Sequence, residues 1–249
     1  MMRHFTLLKT TVVVCLLSLM TLASNAQNEL SLTPGADLVS RYIWRGTDFG
    51  NSPAIQPGLE LGYGGFAFGA WGSYSTNDMN FQEADLYASY TFNEVLTLMV
   101  TDYFFPDGNI GKNKYFDYDP DSTGHVFEGA VLFNGTDKIP LSLMVATNFA
   151  GADARTYDNK LQYSTYIELG YSTSIQETSL DFFVGATPNN PDGDKGEAGF
   201  YGNSAGIVNI GVKAEKEVKI TDSFSLPVNV SVITNPQAQN IFFVFGISL

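Results

Sequence analysis

Only one cysteine occurs in 249 residues, Cys15, and the sole histidines are His4 and His125. A disulfide framework is therefore excluded, and thiolate or Cys/His metal chemistry has almost nothing to build on. Basic residues are scarce as well, 13 against 26 acids, for a formal charge of −13. Nucleic-acid binding, which needs clustered Lys and Arg to neutralise phosphates, is a poor fit. Beyond the first residues, no segment has the ~18 unbroken apolar residues of a membrane-spanning helix. Uncharged Ser223 to Leu249 is long enough but is interrupted by Pro227, Asn229, Asn235 and Pro236.

Residues 1–26 have the three parts of a secretory leader. Arg3 and Lys9 give a basic start, Thr11 to Leu22 an apolar run, and Ser24-Asn25-Ala26 a small-residue cleavage site. The run is too short to span a bilayer and a polar stretch follows it at once, so cleavage after Ala26 is expected. Cleavage removes Cys15 and two bases, leaving residues 27–249 as one still more acidic domain.

What that domain does have is alternation. In Ala84 to Phe92, Ala84, Leu86, Ala88, Tyr90 and Phe92 share one face and Asp85, Tyr87, Ser89 and Thr91 the other. Tyr163 to Tyr171 and Ile241 to Leu249 repeat the pattern. Twelve such strands are predicted, at 36–45, 54–63, 65–74, 83–92, 95–105, 125–133, 139–149, 161–171, 179–187, 206–215, 225–234 and 240–249. The gaps alternate between short and long, and the long ones are richer in Asp, Asn, Gly and Pro. Lys216 to Phe224 is long for a short-turn position and Asn235 to Gln239 short for a loop position.

This rhythm predicts an all-β fold: a transmembrane antiparallel β-barrel of about 12 strands with short periplasmic turns and longer extracellular loops. Tyr42, Trp44, Tyr74, Phe104, Phe149 and Tyr163 are expected at the outer rim. Tyr63, Phe66, Tyr90, Phe92, Phe133 and Tyr171 are expected at the inner rim, as girdles at headgroup depth.

Strand parity sends Asp37, Arg41, Arg45, Glu60, Glu83, Asp85, Glu128, Glu168, Asp181 and Lys213 to the interior. Placing such groups toward lipid would cost about 2–4 kcal/mol for a base at the midplane and less for an acid. Two arrangements accommodate them: a water-filled lumen with Arg41 and Arg45 opposing Glu60, Asp85 and Glu128 at a constriction, or an ion-pair network that plugs the barrel. The acid excess favours cations in the first.

Enzymatic chemistry has little support. His125 is the only histidine outside the leader and no nucleophile motif flanks it, so no catalytic residue is assigned. Asp117, Asp119, Asp121 and Glu128 match positions 1, 3, 5 and 12 of a calcium loop. Ser122 replaces the required glycine, however, and Glu128 lies on a strand, so a solvated acidic loop is expected, loose divalent-cation binding there or near Asp192 and Asp194 being the alternative; no metal site or cofactor is assigned.

The stretch from Ala36 to Pro106 resembles the TorF-family porins of Gram-negative outer membranes. The matching pieces are Leu38-Val39-Ser40-Arg41-Tyr42, Trp44-Arg45-Gly46, Pro53-Ala54-Ile55-Gln56, Ala70-Trp71-Gly72-Ser73, Glu83-Ala84-Asp85-Leu86-Tyr87 and Thr101-Asp102-Tyr103. The resemblance implies a single-domain outer-membrane barrel passing small hydrophilic solutes and brings no catalytic residues. Its partners would be outer-membrane lipid, lipopolysaccharide and the barrel-assembly machinery. A non-conducting structural or surface-binding barrel is the main alternative, and an outer-membrane lipid hydrolase a lesser one.

Overall fold

The computed structural model describes residues 29–77, 82–106 and 114–249. The proposed leader lies outside them, as do residues 78–81 and 107–113. Fourteen strands are present in the described chain: β1 Leu30–Val39, β2 Tyr42–Trp44, β3 Thr47–Phe49, β4 Ala54–Tyr63, β5 Phe66–Ser75, β6 Gln82–Phe92, β7 Leu96–Phe104, β8 His125–Phe133, β9 Leu141–Gly151, β10 Thr165–Ile175, β11 Thr178–Thr187, β12 Gly206–Thr221, β13 Phe224–Asn235 and β14 Asn240–Ser248. Twelve of them close into an antiparallel barrel, and β2 and β3 pair only with each other.

Closure follows from the period-2 pattern. On β4, Ile55, Leu59, Leu61 and Tyr63 are exposed, whereas Gln56, Gly58, Glu60 and Gly62 turn to the shielded face. The register carries that division around the wall: Leu59 stands opposite Ala70, Glu60 opposite Gly69 and Asp85 opposite Tyr103. The outward face is consistently apolar, with Leu98, Val100, Val131, Leu143, Val145, Leu169, Val184, Val232, Phe243 and Phe245 all exposed. One unbroken ladder leaves no free sheet edge around the wall where β1 meets β14. That seam is the shortest pairing, with Asp37, Leu38 and Val39 opposite Ser248, Ile247 and Gly246. It is extended by reciprocal N–H···O bonds between Ala36 and Leu249 and by Ser40 N donating to Phe245 O.

Large interior rings lie flat over neighbouring glycines. A Cβ on Gly69 would stand 2.1 Å from the Tyr87 ring, and one on Gly185 would stand 2.0 Å from the Tyr166 hydroxyl. Glycine at these places lets a tyrosine cross one strand to reach the next. Tyr87 thereby donates to Glu60 Oε2 at 2.7 Å, and the Tyr166 hydroxyl accepts from Asn209 Nδ2 on β12 at 2.9 Å.

The two misfit connections resolve. β12 continues to Thr221 and β13 begins at Phe224, so the connection is a tight turn at residues 222–223 between two overlong strands. Residues 236–239 form a compact turn at the long-loop rim. Other tight turns use positive φ, as at Asn93 and Glu94, where Val95 N closes onto Phe92 O.

The first predicted strand needs correction. The wall strand is Leu30–Val39, not 36–45, because the chain bends at Ser40 and Arg41 before residues 42–49 form their own hairpin. Arg41 and Arg45 are therefore not wall residues, and Tyr42 and Trp44 belong to no outward girdle. Phe104 faces outward but is buried against Tyr115 and His125. On the short-turn rim, Phe66, Tyr90 and Phe92 do form a contiguous ring cluster, with centroids 4.5 Å apart at each step.

Candidate functional site

The β2–β3 hairpin interrupts the connection from Val39 to Ala54, two residues that pair with each other in the wall. Tyr42 pairs with Phe49, Ile43 with Asp48 and Trp44 with Thr47. Arg45 and Gly46 make the two-residue turn with φ of 50° and 81°. Positive φ at both central positions is the type I′ requirement, and the second position here can only be glycine: a Cβ on Gly46 would lie 2.0 Å from Val208 O. The hairpin tip thus presses against β12, and Gly46 O accepts a hydrogen bond from Asn235 Nδ2 at 3.2 Å. The hairpin folds into the barrel rather than over it.

Its tip carries Arg45 into the bore. Arg45 Nη1 donates to Glu128 Oε2 at 2.5 Å and Nη2 to Oε1 at 2.9 Å, a bidentate pair with 8% and 2% side-chain exposure. Tyr103 and Tyr201 also donate to the Glu128 carboxylate, at 3.0 and 3.1 Å. The guanidinium lies 4.5 Å from the Trp44 ring centroid and 4.7 Å from that of Tyr166. Tyr166, Tyr201 and Val208 form a buried cluster inside the barrel, flanked by Trp44, Met144 and Phe200. Its members come from the hairpin, from the 188–205 loop and from three wall strands. They pack together inside the barrel.

Spaces remain on either side. Toward the short turns, a cavity of about 440 Å³ is lined by Asp37, Gln56, Glu60, Trp71, Tyr87 and Ser248. Toward the loops, one of about 290 Å³ is lined by Trp44, Phe49, Phe105, Val126, Phe200 and Tyr201.

Of the residues expected to meet at a constriction, only Arg45 and Glu128 do so by direct contact. Arg41 Nη1 bonds Asp48 Oδ2 at 2.6 Å within its own hairpin and opposes no wall carboxylate. Glu60 serves Tyr87. Glu168 receives Tyr166 and Asn209, the latter at 3.1 Å. Asp181 accepts from Ser172 at 2.6 Å, Asp37 accepts from Ser248 at 2.6 Å, and Lys213 pairs with Glu215 at 2.7 Å. Glu83 and Asp85 are buried beside Tyr42.

Sequence reasoning missed the phenols of Tyr103 and Tyr201. Tyr103 carried a signal, since an aromatic on the polar parity of a strand must meet something inside. Tyr201 carried none, because infolding of a loop leaves no periodic trace.

A second cluster lies outside the wall at the loop rim. His125 is fully buried, with Nδ1 2.7 Å from Asp102 Oδ1 and Nε2 2.6 Å from Tyr115 O. Both ring nitrogens are engaged with oxygens of the protein, and neither is left for a nucleophile. The rings of Phe104, Tyr115, Tyr118 and Phe127 surround it. Nearby, the Asp117 carboxylate accepts the Asp119 N–H and the Ser122 hydroxyl, and Asp119 accepts the Asp121 N–H. The acids of this segment thus tie their own turn, and Glu128 sits in the bore, away from them.

A family model described as "Bacterial protein of unknown function (Gcw_chp)" matches residues 23–210. The chain belongs to this family. No curated protein matches. Among solved structures, it is similar to the KdgM porin at 11% identity and a TM-score of 0.45, covering 86% of this chain and 97% of that one. A KdgM porin in complex with disordered oligogalacturonate gives 11% identity and 0.44, covering 88% and 98%. An anion-selective porin from Comamonas acidovorans gives 12% identity and 0.35, with the same coverage.

Proposed function

We propose that this protein is a porin-like channel of the bacterial outer membrane, exported by a cleavable leader and passing small hydrophilic solutes with a mild cation preference. The observation that carries this reading is the division of the closed wall. Its outside is apolar over the whole circumference, suited to hydrocarbon, and its inside holds a large excess of carboxylates. The TorF resemblance over residues 36–106 points the same way. In this reading solutes pass beside the infolded hairpin, which the Arg45–Glu128 pair holds in place. Lipid and lipopolysaccharide surround the wall, and the barrel-assembly machinery inserts it.

A non-conducting barrel is the second reading. It is favoured by the packing inside the barrel, where Tyr166, Val208 and Asn148 have no exposed surface. The hydrolase reading finds no support at His125, whose nitrogens are both occupied.

Planar-bilayer recording of the purified chain separates the first two. Stepwise conductance is expected, and Arg41→Ala with Arg45→Ala should shift the reversal potential toward greater cation preference. A silent membrane containing correctly folded protein would favour the plugged barrel.

A further inference from the structure

The strongest unexplained feature of the interior is a pair of carboxylates. Glu83 and Asp85, two residues apart on β6, point to the same shielded face and are 3% and 6% exposed. Among the described residues, neither oxygen of Glu83, nor Oδ1 of Asp85, has a hydrogen-bond partner. Buried carboxylates are ordinarily paired or bonded, since desolvating an uncompensated charge is prohibitive. The Arg45 guanidinium spends its hydrogen bonds elsewhere, on Glu128 and Tyr201.

The surroundings supply further oxygen. Ser73 stands opposite Glu83 in register, is buried, and its hydroxyl accepts from Gln56 Nε2 at 3.2 Å. Tyr42, on the infolded hairpin, brings its phenol oxygen beside Glu83. No third carboxylate or histidine joins the group among the described residues. The oxygens here are all hard ligands, and at this depth of burial an incoming ion must shed most of its water. Magnesium keeps its waters and demands an octahedron, whereas calcium accepts mono- and bidentate carboxylates and hydroxyls in irregular arrays. A divalent ion would also cancel both negative charges.

We propose that Glu83 and Asp85, covered by Tyr42, bind a calcium ion inside the barrel. The ion joins β6 to the hairpin, and so couples the wall to the element that narrows the bore. Conduction is not required for this binding.

The test uses the full mature chain in detergent, stripped with EDTA and titrated with terbium(III), which occupies calcium sites. Trp71, whose ring is 5.5 Å from that of Tyr42 and which stands opposite Asp85, is placed to sensitise its emission. Saturable emission that calcium displaces is expected. It should be lost in Glu83→Gln with Asp85→Asn and kept in Asp117→Asn with Asp119→Asn and Asp121→Asn, which controls for the acidic loop. Tyr42→Phe leaves both carboxylates in place and should weaken calcium displacement, and it serves should the double variant not fold. Emission that survives the double variant, or that disappears with the loop variant, overturns the proposal. Absence of any emission does so as well, and leaves a shared proton to neutralise the pair. A silent bilayer with calcium binding intact would count against the channel and not against this site.

Discussion

Arg45 and Glu128 meet across 83 residues of sequence as a two-pronged ion pair at 2.5 and 2.9 Å, both side chains almost wholly out of solvent. One lies at the tip of a hairpin and the other in mid-wall. The pair therefore fixes how far the hairpin enters the bore. Removing one partner of such a pair strands the other charge in a dry site, at a cost of about 3–5 kcal/mol.

Arg45→Ala and Glu128→Gln should each release the hairpin. Larger single-channel steps are expected from either variant in planar bilayers, together with a lowered unfolding temperature. Arg41→Ala should differ, because its bond to Asp48 is partly exposed and worth at most about 1 kcal/mol. If Arg41→Ala destabilised the fold as much as Arg45→Ala, the hairpin would not be held by its tip.

The flat tyrosines predict a coupled substitution. Gly69→Ala drives a methyl group into the Tyr87 ring and should destabilise the barrel by about 1–3 kcal/mol. Tyr87→Ala in the same chain should remove most of that penalty, because the colliding ring is gone. Thermal unfolding of the two single variants and the double variant measures the coupling, and simple additivity would mean that the two sites do not touch.

At the loop rim, the His125 clamp should govern the 114–124 segment rather than the wall. His125→Gln or Asp102→Asn leaves a buried acceptor or donor unmatched, on the order of 1–3 kcal/mol. Faster proteolysis at Lys114 is expected, with far-UV circular dichroism of the strands unchanged. Loss of barrel signal at the same rate would show that the clamp is part of global stability.

The turn at Asp117 gives a pH dependence. The Asp119 N–H, and then the Ser122 hydroxyl, hold the Asp117 carboxyl below its ordinary range. A depressed carboxyl stabilises its turn at pH values above the unfolded-chain pKa, and that contribution fades as acid protonates it. Carbon-detected NMR titration should find Asp117 ionising at lower pH than in a peptide of the same sequence, and Ser122→Ala should move it part-way back. Identical titrations would mean that the turn does not persist in solution.

Alternation made the wall legible because lipid-like exposure on one side and shielding on the other force a strict period of two. The strand count followed, as did the interior parity of Glu60, Glu83, Asp85, Glu128, Glu168, Asp181 and Lys213. The hairpin was misassigned because Tyr42-Ile43-Trp44 alternates as well as any wall strand. Only the positive φ at Arg45 and Gly46 separates a turn from a continuation, and Arg-Gly is a weak turn signal beside Asn-Gly. β12 and β13 outran their predicted ends because the residues past 215 alternate charged with apolar, which suits a strand standing clear of the wall as well as a loop. Ion pairs between distant elements, such as Arg45 with Glu128, depend on three-dimensional placement that no local pattern records.

Val39 and Ala54 face each other as ladder partners, so everything between them leaves the cylinder and returns at the same height. The stopper is therefore a detachable cassette. Its length and chemistry can be redrawn, or a bare turn substituted for it, with the staves of the cask left in register. Aperture and shell become two separately adjustable properties of one continuous polypeptide.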